Sequence, residues 1–234
     1  MAKFGDAAIR PLLRALDDTP VHIRQLAEMF RKHGQKHNRN TNAVTDLDRA
    51  DVPEPLHDGW KKDTWTPNDV VGTGHGNRPD PSEYLDQSYV DRHLARFDEG
   101  ASRIYKSDDL HKYGPGNGGV TFVFPTSELQ KILDETGGDA RALAIRLGMP
   151  SDYYLDKAGN PVDVEIRHFT PDELTGIRVP TGNEGGANPQ WIPGGYLPTG
   201  DPEAVIDIPE SATGHNSDYN HGLWPGTAQG LKLT

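Results

Sequence analysis

The sequence contains no cysteine, and this absence removes several kinds of chemistry at once. Disulfide bonds, zinc sites with thiolate ligands and cysteine nucleophiles are all excluded. The sequence also has no run of about 18 apolar residues, which is the length that a membrane-spanning helix needs. Residues 1–10 lack the apolar segment of a signal peptide. We therefore expect a protein without a membrane span, whose chemistry depends on residues other than cysteine.

Positive charge is scarce as well. The chain has 24 lysines and arginines against 35 aspartates and glutamates, which gives a formal net charge of -11. Such a charge repels the phosphates of nucleic acids and anionic membranes, so a broad basic binding surface is not expected. A nuclease with a locally basic groove remains compatible with this balance.

Apolar residues are also few, while residues that interrupt regular structure are many. The hydrophobic fraction is 34%, and the chain has 26 glycines and 19 prolines. The length of 234 residues is enough for one packed domain or two small ones. We therefore expect one packed region joined to long irregular stretches.

Residues 1–83 are predicted to form a helical hairpin followed by an irregular arm. Apolar residues recur at helical spacing over residues 6–17. A second helix is predicted from Thr19, a good N-cap followed by proline, to Gly34. From residue 35 to residue 83, prolines and a glycine-rich turn interrupt every periodic pattern.

Residues 84–210 are predicted to form an α+β domain, a small mixed or antiparallel sheet with flanking helices. Helices are predicted over residues 84–97, 127–135 and 139–148. Strands are predicted over residues 101–105, 120–124, 162–166, 177–179 and 204–208. The two types alternate without the regular spacing of βαβ units, which favours an α+β arrangement over a parallel sheet. Residues 211–234 are predicted to be an irregular tail.

The longest loop of this domain, residues 181–202, is the first candidate site. Loops longer than about 12–15 residues are uncommon in compact domains and are often functional. This loop and its approach contain polar side chains and one tryptophan: Arg178, Asn183, Glu184, Asn188 and Trp191. The alternative is a surface loop in which glycine, asparagine and proline only form turns.

Two further features are compatible with binding a phosphorylated ligand. Thr126 and Ser127 lie where a strand is predicted to end and a helix to begin, a junction that offers hydroxyls and backbone amides to an anion. The alternative is an ordinary helix cap. Arg103 follows the turn at residues 98–100 and could hold a pyrophosphate through two parallel hydrogen bonds. An exposed surface arginine is the alternative there.

Acidic and histidine residues give weaker indications. Asp163 and Glu165 share one strand face, an arrangement that suits charge stabilisation but is also typical of a solvated face. The histidines show no spacing that indicates a metal site, and no metal is expected. His111 and His168 lie inside the predicted domain and are candidate acid–base groups.

Four segments within residues 90–208 are similar to a known group of proteins. The segments are LARFDEGASRIY, GGVTFVFPTSELQKIL, GNEGGANPQWIPGG and PEAVID. As a set they resemble the C-terminal toxin modules of bacterial polymorphic and contact-dependent inhibition toxins.

Two narrower similarities point to NAD. The segments RFDEGASRI and PQWIPGG resemble the arginine-bearing strand and the tryptophan–glycine loop of tuberculosis-necrotizing-toxin-type NAD glycohydrolases. Glu203 loosely occupies the region of that family's glutamine. An arginine followed by FVFPTS and DVE resembles the Arg, Ser-Thr-Ser and Glu-x-Glu order of ADP-ribosyltransferases. Here Pro125 stands at the first serine of that order and Asp163 at the first glutamate.

The resemblance implies an enzyme that consumes NAD as its substrate, by hydrolysis or by transfer of ADP-ribose to an acceptor such as a protein. Breaking the bond to nicotinamide needs a carboxylate near a cationic ribose. The implied catalytic residues are Glu184, Glu203 and Arg178, with Glu165 as a further candidate carboxylate. The implied NAD-binding residues are Arg103, Thr126, Ser127, Asn183, Asn188 and Trp191.

The resemblance also implies an antibacterial effector that is secreted or delivered and acts in the cytoplasm of a target cell. Residues 1–83 would then serve delivery, and a cognate immunity protein would be the partner. Two alternatives stay open. One is a metal-independent RNase that uses His111 or His168 with Arg103 and Thr126. The other is a non-catalytic binding module whose recognition surface is the 181–202 loop.

Overall fold

The computed structural model describes residues 59–209 and 226–234 of the chain. The predicted helical hairpin, the first part of the predicted arm and the first part of the predicted tail lie outside the described residues. Within these two ranges, no helix is both long and apolar enough to cross a bilayer.

Five antiparallel strands form the sheet at the centre of the described structure. The strands are β1 (Ala101–Lys106), β2 (Val120–Pro125), β3 (Val164–Phe169), β4 (Ala204–Asp207) and β5 (Thr227–Leu231). Their order in the sheet is β4-β2-β1-β3-β5, and every neighbouring pair is antiparallel. The predicted α+β class, with an antiparallel sheet and flanking helices, is confirmed.

Within the described part of the chain, six short α-helices accompany this sheet. They are α1 (Pro67–Gly72), α2 (Pro81–Tyr84), α3 (Gln87–Leu94), α4 (Ser107–Tyr113), α5 (Leu129–Thr136) and α6 (Ala140–Arg146). Single 3₁₀ turns span Ala95–Phe97, Thr126–Glu128 and Pro171–Glu173. Helices α1 and α2 begin with proline and a complete capping box, from Thr66 and Asp80 respectively, which explains why they form within a proline-rich stretch.

Side chains alternate between the two faces of the sheet and build a separate core on each. On one face, Ile104 and Ile166 pack with apolar residues of α5 and α6 such as Ile132 and Leu143. On the other face, residues of β1 to β4 pack against the end of α3 and against α4; they include Tyr105, Val123, Phe169 and Ile206 with Phe97 and Leu110.

A third core lies beside the sheet and joins residues 59–97 to the long loop. It contains Val70, Tyr84 and Tyr89 from the helical side and Val179, Trp191, Ile192 and Tyr196 from the loop side. Residues 59–83 therefore pack on the predicted domain, outside its predicted limit at residue 84.

Several predicted elements differ from those observed. The helix predicted over residues 84–97 is interrupted at Leu85, whose extended backbone separates α2 from α3. The strand predicted over residues 162–166 starts at Val164, because Val162 donates its backbone N–H to Tyr154 in a neighbouring turn. Residues 177–179 form no strand, and only Arg178 makes a bridge, to Val205 in β4.

Two predictions failed because the deciding contacts are tertiary. The tail predicted to be irregular contains β5, whose sequence TAQGL has a single large apolar residue and gains its conformation by pairing with β3. Ser127 does not cap α5, since the chain enters that helix through the 3₁₀ turn and no side chain accepts the first free amides. Helix α4 was not predicted, and of its residues only Leu110 is buried.

Candidate functional site

Strands β1 and β2 separate soon after they meet. Strand β1 pairs with β3 along all six of its residues, but it pairs with β2 only at Ala101–Pro125 and Ser102–Phe124. Beyond these pairs, hydrogen bonds from side chains of β1 connect the two strands. The Arg103 Nη1 atom donates to Thr121 Oγ1 at 2.8 Å and to the Phe122 carbonyl oxygen at 3.3 Å. We call this part of the sheet the β1–β2 gap, formed by Arg103, Tyr105, Thr121 and Phe122.

The guanidinium group of Arg103 is held in place by hydrogen bonds from only one of its three nitrogen atoms. Its Cζ atom lies 4.8 Å from the centre of the Tyr105 ring, and the Tyr105 hydroxyl in turn contacts Thr121 Oγ1 at 2.8 Å. Among the described residues, Arg103 Nε and Nη2 have no hydrogen-bond acceptor. The side chain is partly exposed. It therefore offers a positioned positive charge with two N–H groups free for an anion.

Glu203 directly precedes β4 and carries the carboxyl group whose pKa is shifted most among the described residues. The residue is partly buried, and its side chain has no hydrogen-bond donor among the described residues. Burial raises the pKa of Glu203 to about 8; the positive charge of Arg103 opposes this rise, and the negative charge of Glu184 adds to it. A carboxyl group with a raised pKa that lies within electrostatic range of an arginine marks a candidate reactive site.

Glu184 is used quite differently. Its Oε1 atom accepts hydrogen bonds from the Thr181 backbone N–H at 2.9 Å and from the Thr181 hydroxyl at 3.1 Å. Its Oε2 atom accepts from the Gly182 backbone N–H at 2.8 Å. The carboxylate thus closes a turn of its own loop, and of the two predicted glutamates only Glu203 is without such bonds to the described residues.

The other polar residues of the long loop attach it to its surroundings. Asn183 Oδ1 accepts from the backbone N–H groups of Gly76 and Arg78 at 2.8 and 3.1 Å, and its Nδ2 donates to the Arg78 carbonyl at 2.9 Å. Asn188 Nδ2 donates to the Gly148 carbonyl at 3.0 Å. Trp191 is buried beneath the Arg78 guanidinium, whose Cζ atom lies 4.4 Å from its ring centre. Asn183, Asn188 and Trp191, predicted to bind NAD, hold the loop in place.

Arg178, a predicted catalytic residue, is placed away from Glu203. Its guanidinium bonds to the Asp207 carboxylate at 2.7 Å and to the Gly176 carbonyl at 2.8 Å, and 41% of the side chain is exposed. Asp207, the partner of Arg178, is the last residue of β4, whereas Glu203 directly precedes that strand. Along the strand, Asp207 and Glu203 are therefore about 13 Å apart, at roughly 3.3 Å per residue. The structure does not bring the Arg178 guanidinium together with Glu203.

The predicted phosphate-binding junction faces away from Arg103. The Thr126 backbone N–H is already bonded to Gly100, and its hydroxyl lies 2.9 Å from Ser102 Oγ. Ser102 Oγ in turn lies 3.0 Å from His168 Nδ1. Because neighbouring residues of a strand point to opposite faces, this chain of hydroxyls lies on the other face from Arg103. Ser127 is exposed.

A second acid–base cluster shares the face of Arg103. Glu165 lies between His111, whose Nε2 is 3.5 Å from Oε2, and Arg167, whose Nη1 donates to Oε1 at 3.2 Å. The strand register pairs Arg103 with Arg167 and Tyr105 with Glu165. Asp163, the predicted acidic partner of Glu165, is exposed and precedes β3.

Two structurally central residues were missed at the level of the sequence. His93 packs under the end of the long loop, but its spacing from Tyr89 and Phe97 is that of an ordinary apolar helix face. Arg78 bonds to the Gly182 carbonyl at 2.6 Å and stacks on Trp191, yet it lies in a stretch without periodicity.

Among residues 59–209 and 226–234, no three histidine, aspartate or glutamate side chains are grouped to hold a metal ion. A surface depression of about 860 Å³ beside α1 shares no residue with the β1–β2 gap; it is lined by Thr64, Trp65, Asn68, Asp69, Gly72, Thr73 and Glu83. This lining contains no cationic side chain that could hold a phosphate, so we place the candidate site at the gap.

No protein-family model, no curated protein and no solved structure matches this chain.

Proposed function

We propose that the chain is an NAD-consuming enzyme that acts at the β1–β2 gap, with Glu203 as the reacting carboxylate and Arg103 as the pyrophosphate-binding group. The observation that carries the proposal is the Glu203 carboxyl group, which is partly buried, without a hydrogen-bond donor among the described residues and within the electrostatic reach of Arg103. The similarities of RFDEGASRI and PQWIPGG to NAD glycohydrolases, and of the Arg, FVFPTS and DVE order to ADP-ribosyltransferases, support the same substrate.

The chemistry requires a negative charge beside the ribose of nicotinamide. When the carbon–nitrogen bond breaks, its electron pair leaves with the nicotinamide ring, which becomes neutral, and the ribose becomes cationic. An ionised Glu203 stabilises that cation, and its effect increases as bound substrate excludes water from the site. Water or an acceptor hydroxyl then bonds to the ribose carbon, and its proton passes to the Glu203 carboxylate.

Arg103 suits the pyrophosphate that links the two nucleosides of NAD. Its planar fork has Nε and Nη2 without acceptors among the described residues, which allows two parallel hydrogen bonds to phosphate oxygens. The bonds from Nη1 to Thr121 and Phe122 fix the fork in advance, so little ordering remains to be done on binding. In this proposal Glu184 and Trp191 shape the loop around the substrate, and Arg178 takes no part in catalysis.

The biological setting follows from the resemblance. An NAD-consuming domain of this kind acts as a delivered antibacterial effector in the cytoplasm of a target cell. The cell that makes it then needs a cognate immunity protein. Bacteria that express the chain from a controlled promoter are expected to lose NAD and stop growing, while a strain with the Glu203→Gln variant grows normally.

The direct test is incubation of the purified full chain with NAD while nicotinamide release is measured. Release by the chain alone supports hydrolysis. Release that requires a cell lysate, with ADP-ribose appearing on a lysate protein, supports transfer. NAD that stays intact under both conditions, with a folded protein confirmed by circular dichroism, contradicts the proposal.

A metal-independent RNase is the second candidate, and the cluster around Glu165 favours it. Glu165 and His111 lie together and satisfy the need for a base that removes a ribose 2′ proton and an acid that protonates the leaving oxygen. Arg167 lies beside them. The full chain is then expected to degrade single-stranded RNA, and His111→Ala is expected to stop this. RNA that stays intact with the wild type as well as with the His111→Ala variant contradicts this second candidate.

A further inference from the structure

His93 lies inside the third core, directly beneath the return of the long loop. Only 2% of the residue is exposed. Its ring is surrounded by the rings of Tyr89, Phe97 and Tyr196, with centre-to-centre distances of 6.1, 5.9 and 5.1 Å. Packing of this kind leaves a histidine little freedom to change its orientation.

One polar contact links this ring to the candidate site. His93 Nε2 lies 2.9 Å from the backbone carbonyl oxygen of Glu203. Because a carbonyl only accepts hydrogen bonds, Nε2 carries a proton, and in the neutral form of the ring Nδ1 is bare. Nδ1 is buried and has no hydrogen-bond partner among the described residues. Burial lowers the pKa of His93 to about 4; the hydrogen bond to the Glu203 carbonyl opposes this shift, and the nearby charge of Arg96 adds to it.

The His93 ring also lies against Gly195, which forms a backbone hydrogen bond with Glu203. Glu203 donates its backbone N–H to the Gly195 carbonyl at 2.7 Å. Gly195 has a φ of 82°, and a Cβ atom there would lie 2.7 Å from His93 Nε2. The Tyr89 hydroxyl, one helical turn before His93, donates to the Gly194 carbonyl at 2.7 Å. Helix α3 therefore determines where the loop re-enters the sheet.

We infer that His93 is a positioning residue for Glu203, which holds the backbone of that residue so that its carboxyl group stays at the β1–β2 gap. The consequence for turnover rests on the proposed function, whereas the consequence for the Glu203 carboxyl group does not. The charged groups that face Glu203 are Arg103 from β1 and Glu184 from the loop, and Arg96 is the charged group nearest to His93. A substitution at His93 leaves all three of these charged residues in the chain.

The test compares three substitutions in the full chain: His93→Gln, His93→Asn and His93→Leu. A glutamine side chain places an amide N–H where the His93 Nε2 proton is, an asparagine side chain is too short to reach the same carbonyl, and a leucine side chain fills the core without any donor. The titration of Glu203 is followed by NMR with ¹³C-labelled glutamate and assigned by Glu203→Gln. NAD turnover is measured on the same samples.

If His93 positions Glu203, His93→Asn and His93→Leu lower the Glu203 titration midpoint by at least about one pH unit, since the carboxyl group then turns toward water. The same variants reduce kcat about 10- to 100-fold, with KM changed less than about threefold, because the reacting group is misplaced. His93→Gln keeps both values near those of the wild type.

Equal Glu203 titration in all four proteins overturns the inference, even if the variants melt at lower temperature. A variant that does not fold is recognised by its NMR spectrum, and the comparison of His93→Gln with His93→Asn then decides the question. If the wild type does not consume NAD, the proposed function fails, while the titration still tests the role of His93.

Discussion

The 181–202 loop and the β1–β2 gap contain the same kinds of polar side chain but use them in opposite ways. In the loop, the Glu184 side chain accepts three hydrogen bonds from Thr181 and Gly182. The Asn183 side chain makes three with the backbone of residues 76 and 78. At the gap, Arg103 keeps two N–H groups without acceptors among the described residues, and the Glu203 carboxyl group, within electrostatic range of Arg103, has no donor among them. The difference separates a folded turn, whose polar side chains are bonded to the protein, from partly exposed charged groups that stay available to a ligand.

The largest expected contrast is between the two glutamates. Glu203→Gln removes the charge that stabilises the cationic ribose and is expected to lower NAD turnover about 1,000-fold. Glu184→Gln loses the bond to the Gly182 amide and is expected to cost about 1–2 kcal/mol of unfolding free energy, with turnover reduced less than about tenfold. Nicotinamide release and urea denaturation of both variants measure the contrast. Equal loss of turnover in the two variants would remove the distinction between loop and gap.

The two arginines give the next contrast. Arg103→Ala removes the proposed pyrophosphate contact and is expected to lower kcat/KM for NAD about 100-fold. Arg178→Ala breaks an exposed ion pair with Asp207 and is expected to cost less than about 1 kcal/mol and leave kcat/KM nearly unchanged. Steady-state kinetics at one pH check both values. A larger effect from Arg178 would move the site to the other end of β4.

The pH dependence sharpens the role of Glu203. Because the folded pKa of Glu203 is raised to about 8, the group favours the folded state fully below its unfolded pKa near 4.3, and this contribution is lost as the pH rises through 8. After allowance for its partial exposure, about 2 kcal/mol should be lost between these limits. Glu203→Gln should lack this loss in urea denaturation from pH 5 to pH 9. In the wild type, kcat/KM should rise with pH toward 8, as the carboxylate forms. Flat profiles contradict the assignment.

The smallest expected effect concerns the attachment of the loop. Asn183→Ala removes three hydrogen bonds to residues 76–78 and is expected to cost about 1–2 kcal/mol of unfolding free energy. Turnover should change less than about threefold, because the variant leaves the gap intact. Thermal denaturation and kinetics of one preparation give both values. Loss of turnover without loss of stability indicates that Asn183 contacts the substrate.

The sequence predicted most of the central sheet because its strands carry their own pattern. The runs that became β1, β2 and β4 combine β-branched and aromatic residues with turns at their ends. Strand β5 has no such pattern, and pairing with β3 decides its conformation. Helical periodicity over residues 84–97 concealed the break at Leu85, which depends on the cap of α2.

The site was predictable as a set of residue types but not as an arrangement. Arg103 and Glu203 were both candidates, yet nothing in the sequence distinguished Glu203 from Glu184. Only the folded turn shows that the Glu184 carboxylate is occupied by Thr181 and Gly182. Arg178 is close to the loop in sequence, but the direction of β4 carries its ion pair to the opposite end. The spacing of residues along the sequence does not predict where these side chains point in the folded protein.

The most direct test of the account is whether NAD binds at the β1–β2 gap. A non-cleavable carbocyclic NAD analogue is added to the full chain with ¹³C-labelled glutamate, and the Glu203 and Glu184 carboxyl resonances are followed by NMR. The account predicts that the Glu203 resonance shifts and its titration midpoint falls, that Glu184 changes little, and that Arg103→Ala weakens binding. An analogue that binds without affecting Glu203, or that does not bind at millimolar concentration, contradicts it.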